Sequence, residues 1–130
     1  MNRNVVDRGQ ESIDVYNRGD FEALRDFYHE DVVWHVGGDH PLSGTYRGRD
    51  ALFEYFRRAR DLTDGTIRLQ PASIVASEDR IAMFTRVTAR RGSEALDVVL
   101  SQTFRIGPDG RWIEYWSVPD DQEAIDAFWS

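Results

Sequence analysis

The most regular pattern in the chain lies between Arg80 and Val118, where apolar and polar residues alternate along three consecutive stretches. Successive side chains of a strand point to opposite faces, so a period of two marks a strand with one buried face. The alternation predicts strands over Arg80–Arg91, Leu96–Ile106 and Arg111–Val118. Gly92-Ser93-Glu94 and Gly107-Pro108-Asp109-Gly110 separate them, and both are rich in turn formers. Along the middle strand Val98, Leu100, Gln102, Phe104 and Ile106 share one face. Four of those five are apolar, so this face is the inner one. Gln102 is then a polar group among buried positions and the first candidate for a site.

Upstream the period changes. Val5, Val6, Ile13 and Tyr16 recur at roughly helical spacing over Val5–Arg18. Gly19 terminates that helix, and Asp20 is an N-cap for a second one through Phe21, Leu24, Phe27 and Tyr28. Val32–Val36 reads as a short strand, and Gly37–Gly48, with four Gly and one Pro, as a loop. Asp50 is expected to cap a third helix, with Leu52, Phe53, Phe56 and Ala59 as its apolar stripe. A strand from about Thr66 to Ser77 contains Pro71, which cannot donate to a ladder and so marks an edge or a bulge. Asp120–Trp129 reads as a short closing helix. Helices are segregated from four antiparallel strands, an α+β arrangement in one domain over residues 1–130. Long strands curl, and a curled sheet packed on helices forms a cone whose open end is a natural pocket.

Composition restricts the partners. The basic side chains number 16, all Arg, against 23 acidic ones, for a net charge of −7. Nucleic acid and anionic membrane both require clustered positive charge, so neither is an expected partner. No apolar run approaches the ~18–20 residues that span a bilayer. Met1–Val6 lacks the long apolar core of a signal peptide, and cysteine is absent, which excludes disulfides, thiolate zinc sites and cysteine nucleophiles. A cytoplasmic protein is the expectation.

Gly19-Asp20-Phe21-Glu22-Ala23-Leu24, Asp31-Val32-Val33-Trp34, Gly44-Thr45-Tyr46-Arg47-Gly48 and Asp109-Gly110-Arg111 stand in the order seen in the SnoaL-like group. The chain resembles that group over nearly its whole length. The group belongs to the nuclear transport factor 2-like superfamily, with ketosteroid isomerase and limonene-type epoxide hydrolases. The resemblance implies a cone-shaped antiparallel or mixed sheet wrapped around N-terminal helices, a cystatin-like α+β barrel with one open end. Its motifs are short and mainly structural, so they speak for fold more than for function.

The resemblance also sets a register for the chemistry. The aspartate base, helix-one tyrosine and strand aspartate of ketosteroid isomerase fall on Val36, Ser12 and Gln102. The base is missing, and Gln102 keeps a hydrogen-bond donor where an oxyanion would sit. The Arg, Asp and second Asp of the epoxide hydrolases fall on Arg86, Thr88 and Ser117, so that hydrolysis is not expected.

The residues themselves leave alternatives open. Arg86 has two readings: Ile81, Met83 and Val87 lie on the opposite face of its strand and mark it as exposed, whereas an inward Arg86 would meet an anionic oxygen. His35 is the candidate general base, although alternation turns it away from Trp34 and Val36. Trp34, Val36, Tyr115, Ser117, Phe56, Tyr16 and Phe104 are the expected substrate-binding wall. His35, Asp39 and His40 lack the spacing of a metal site, so no metal is expected, nor any cofactor. Trp112, Glu114 and Trp116 fall on the outer face, where two exposed tryptophans predict a homodimer through that face.

The expected function is cofactor-free isomerase, cyclase or lyase chemistry on a small apolar, oxygen-bearing molecule such as a polyketide-like or steroid-like ring. The alternative is a non-catalytic ligand-binding or dimeric interaction domain.

Overall fold

Gly19 sits at φ 73°, a backbone conformation that glycine reaches without strain, and it closes the first helix by donating to the Tyr16 carbonyl at 2.9 Å. The structure, a computed structural model, describes residues 3–130, with side chains from Val5 onward; Met1 and Asn2 of the N-terminal reading lie outside the described residues. Helix α1 spans Arg3–Arg18. Asp20 caps α2 (Phe21–Leu24) by accepting from the Ala23 N–H at 3.2 Å. The predicted second helix is shorter than its apolar spacing implies. A 3₁₀ turn over Arg25–Phe27 ends it, and Tyr28 already opens β1 (Tyr28–Val36).

The expected loop contains an edge strand, β2 (Gly44–Arg47), paired antiparallel to β1. Helix α3 (Arg49–Leu62) buries Leu52, Phe53, Phe56 and Ala59, the predicted stripe. Its N-cap is Gly48 rather than Asp50, which lies in the first turn and pairs with Arg25 at 2.9 Å. The sheet continues with β3 (Arg68–Ala76), β4 (Arg80–Arg91), β5 (Glu94–Ile106) and β6 (Trp112–Pro119), and helix α4 covers Gln122–Trp129. Asp121 caps α4 through the Ala124 N–H at 3.0 Å.

The six strands form one curved open sheet in the order β2-β1-β6-β5-β4-β3. The pairing of β1 with β6 is parallel and the other neighbours are antiparallel, so the sheet is mixed. Pro71 sits on the edge strand at a break in the β3–β4 register, as its missing N–H requires. A second irregularity, between Arg105 and Ile106, changes the face on which β6 begins. Trp112 is therefore only 2% exposed, packed near Phe27 and Phe104, and not on the outer face that plain alternation predicts. The apolar core lies between the inner sheet face and the helices. Among the described residues, no helix is long and apolar enough to cross a membrane.

Candidate functional site

A cavity of about 120 Å³ opens between the inner sheet face and α1, α3 and α4. Aromatic rings form much of its wall because β1, β5 and β6 each turn one face inward. Trp34 lies flat on Tyr115, with ring centroids 3.6 Å apart and 13° between planes. Phe56 and Phe104 meet the same indole edge-on at 5.2 and 6.0 Å. Val36, Ser117 and Tyr16 border the cavity as well, so the whole predicted binding wall is brought together.

Gln102 is 4% exposed and faces this space. Its Nε2 donates to the Tyr115 hydroxyl at 2.8 Å, while its Oε1 is buried with no partner. The indole Nε1 of Trp34 is likewise buried and unpaired. A buried polar atom without a partner costs about 1–3 kcal/mol, and a guest molecule that supplies the partner recovers it.

Tyr16, Tyr28, Tyr55 and Tyr115 line the cavity together. Burial pushes all four phenols above their ordinary pKa, and neighbouring phenols add to the rise at Tyr16, Tyr28 and Tyr55. At Tyr115 the hydrogen bonds from Ser117 and Gln102 oppose burial without cancelling it. All four are therefore neutral O–H groups at pH 7. Among the described residues, the hydroxyls of Tyr16, Tyr28 and Tyr55 have no hydrogen-bond partner. No Asp, Glu or Arg side chain lines the cavity among the described residues. It is a pocket of neutral donors and acceptors.

The three positions of the ketosteroid isomerase register all border the cavity. Val36 and Gln102 border the cavity as expected. Ser12 also borders it, but its hydroxyl is satisfied by the Gly9 carbonyl at 2.8 Å. Tyr16, one helical turn later on the same face, carries the phenol that register assigned to position 12.

Of the two readings of Arg86 the exposed one holds, and the inward one that would make it a catalytic residue does not. Ile81, Met83, Thr85 and Val87 face inward, and Arg86 lies on the exposed outer face with its guanidinium on Asp97 at 2.8 and 2.6 Å. Thr88 shares that outer parity. His35 borders the cavity, and its Nε2 is 2.8 Å from Glu114 Oε2 while its ring stacks on Trp116 at 5.9 Å.

Tyr28, Tyr55 and His40 are among the lining residues that the sequence reading did not place there. Tyr28 was assigned to a helix, and Tyr55 extends the α3 stripe next to Phe56. His40 belongs to the loop after β1, where no periodicity says which way a ring points. Its Nδ1 accepts the Leu42 N–H at 3.1 Å, and its Nε2 is buried without a partner. Among the described residues, no three His, Asp or Glu side chains are grouped to hold a metal ion.

Known proteins agree with this architecture. A protein from a soil-derived mobile gene cassette, Bal32a, superposes with a TM-score of 0.89 at 31% identity, covering 93% of this chain and 92% of its own. A protein with a cystatin-like fold from Xanthomonas campestris gives 0.88 at 27% identity, with 96% and 97% covered. The uncharacterized protein Rv0034 of Mycobacterium tuberculosis is 26% identical over 119 residues, 89% of this chain and 88% of its own. The sequence pattern of the SnoaL-like domain matches residues 10–115, from the middle of α1 to Tyr115 in β6, and the chain belongs to that family.

Proposed function

We propose that the cavity takes a small, uncharged, largely apolar molecule and polarises one of its oxygens, as an isomerase or cyclase of the SnoaL-like kind acting on a polyketide- or steroid-like ring substrate. The observation that carries this reading is the set of four buried phenols and the Gln102 amide around one cavity. Neutral O–H and N–H donors already in place around an apolar cavity stabilise a developing oxyanion. With no charged side chain in the lining, an ionised guest would be buried without a counter-charge, so the guest is neutral. The cavity is close in size to the ~150 Å³ apolar cavity that is known to hold benzene, which favours a single ring.

A second reading, a non-catalytic binder, is favoured by Val36 in the place of the base and by the lack of any carboxylate in the lining. Calorimetric titration with acetophenone and turnover of 3-cyclohexenone to 2-cyclohexenone separate the two. The first reading expects binding and an absorbance rise from the conjugated product, with both reduced at least tenfold in Gln102→Leu. Binding without turnover establishes the binder, and no binding of either compound ends both readings.

The outer face supports a homodimer. Phe84, Ser101 and Val118 lie side by side on β4, β5 and β6, with Phe84 56% and Val118 69% exposed. Val75, Val99 and Trp116 extend the exposed apolar set on this sheet. Sedimentation should give twice the monomer mass, and Phe84→Glu combined with Val118→Arg should halve it. The cysteine-free sequence fits the reducing cytoplasm.

A further inference from the structure

His40 is held in one orientation and one protonation state by its loop. The Leu42 N–H points at Nδ1, 3.1 Å away, so Nδ1 is an acceptor and the ring proton resides on Nε2. The ring is kept neutral by burial, which lowers its pKa against the opposing pull of Asp126, the Gly37 carbonyl and Asp39. The loop itself is pinned. Ser43 Oγ donates to the Gly37 carbonyl at 3.0 Å and accepts the His40 N–H at 3.1 Å. Asp126 of α4 accepts the Asp39 N–H at 3.0 Å. At Gly38, φ is 85°, which side-chain-bearing residues rarely adopt, and a Cβ there would push on the Gln122 amide and the Asp126 carboxylate. His40 thus belongs to the cavity lining, and its Nε2–H is fixed in place, buried and without a partner.

We propose that His40 donates from Nε2 to a second acceptor oxygen of the guest, distinct from the oxygen held by the Gln102–Tyr115 group. A neutral imidazole suits this task, since it polarises a carbonyl without requiring a compensating negative charge. The guest class narrows accordingly to uncharged ring compounds with two acceptor oxygens, such as a diketone, and not a mono-oxygenated ring. This inference rests on the pocket reading above and names the group that selects within it.

The test compares acetophenone, with one carbonyl, against 1,4-diacetylbenzene, with two, by calorimetric titration of the full chain. Wild type should prefer the diketone by about three- to tenfold, the range of one neutral hydrogen bond. His40→Leu should abolish that preference, read as the ratio of the two affinities. His40→Gln, whose amide places an N–H near the position of Nε2, should restore it. Long-range ¹H–¹⁵N spectra should show the proton on Nε2 in the free protein and a shift of that nitrogen with the diketone only. An unchanged preference in His40→Leu, equal loss for both compounds, or an unmoved Nε2 overturns the proposal while leaving the pocket reading intact. Failure of both compounds to bind wild type overturns the pocket reading, and this one with it.

Discussion

The two faces of strands β4 to β6 are made from alternate residues of the same segments, yet they treat polar groups in opposite ways. On the outer face charges are matched to charges: Arg86 with Asp97 at 2.6 Å, and Glu114 with both His35 at 2.8 Å and Arg105 at 3.3 Å. On the inner face the polar groups are uncharged, and several are left without partners, including Gln102 Oε1 and Thr85 Oγ1. Water would satisfy an unpaired group outside, so pairing there has little energetic weight. Inside, an unpaired group persists only against a standing penalty. The difference teaches that the inner set is arranged for something other than stability of the empty fold.

The contrast can be broken hardest at Phe56, which is 3% exposed and packs on Tyr16 and Trp34. Phe56→Ala should cost about 3–5 kcal/mol in urea unfolding. Next comes the rim. Gly38→Ala forces a non-glycine residue to φ 85° and into Gln122 and Asp126, and should cost about 1–3 kcal/mol with a loss of acetophenone binding.

Acid should then resolve the faces in turn. His40 titrates below 6.5 because it is buried, so the unfolded chain binds its proton first. That contribution is complete above 6.5 and declines as pH falls below it, levelling off under the lower native value. Glu114 titrates below 4.5, chiefly through its hydrogen bond from His35, so its contribution is present above 4.5 and is lost as pH falls further. Urea midpoints against pH should show both declines, with His40→Gln removing the upper one and Glu114→Gln the lower. Arg86→Ala, on the outer face, is expected to leave the urea midpoint and acetophenone binding unchanged. A weaker affinity in that variant would restore Arg86 to the site.

Much of the fold was legible in the sequence because it follows period and punctuation. Alternation placed β4 at its observed bounds, and Pro71 announced the edge strand. Gly19 and Asp20 marked the corner between the first two helices. The site was legible where alternation held, at Gln102, Trp34 and Tyr115. It was lost wherever one extra residue changes a face without any trace in composition. The irregularity before Ile106 hid the burial of Trp112, whereas on β4, which has no such break against β5, alternation had marked Arg86 as exposed. The four residues of β2 are too few to show a period, and a ring on an irregular loop, such as His40, has no period at all.

The parallel pairing of β1 with β6 bears on the order of events at the ribosome. The first strand emerges early, but one of its two neighbours is the last strand to be made. Until Trp112–Pro119 has been synthesised, one edge of β1 has nothing to bond, while β3, β4 and β5 can already associate as successive hairpins. Closing so large a span of chain in one step is slow. A nascent polypeptide arrested at Gly110 would hold a meander of three strands and a detached β1–β2 ribbon, and the cavity would come into being only with the final strand.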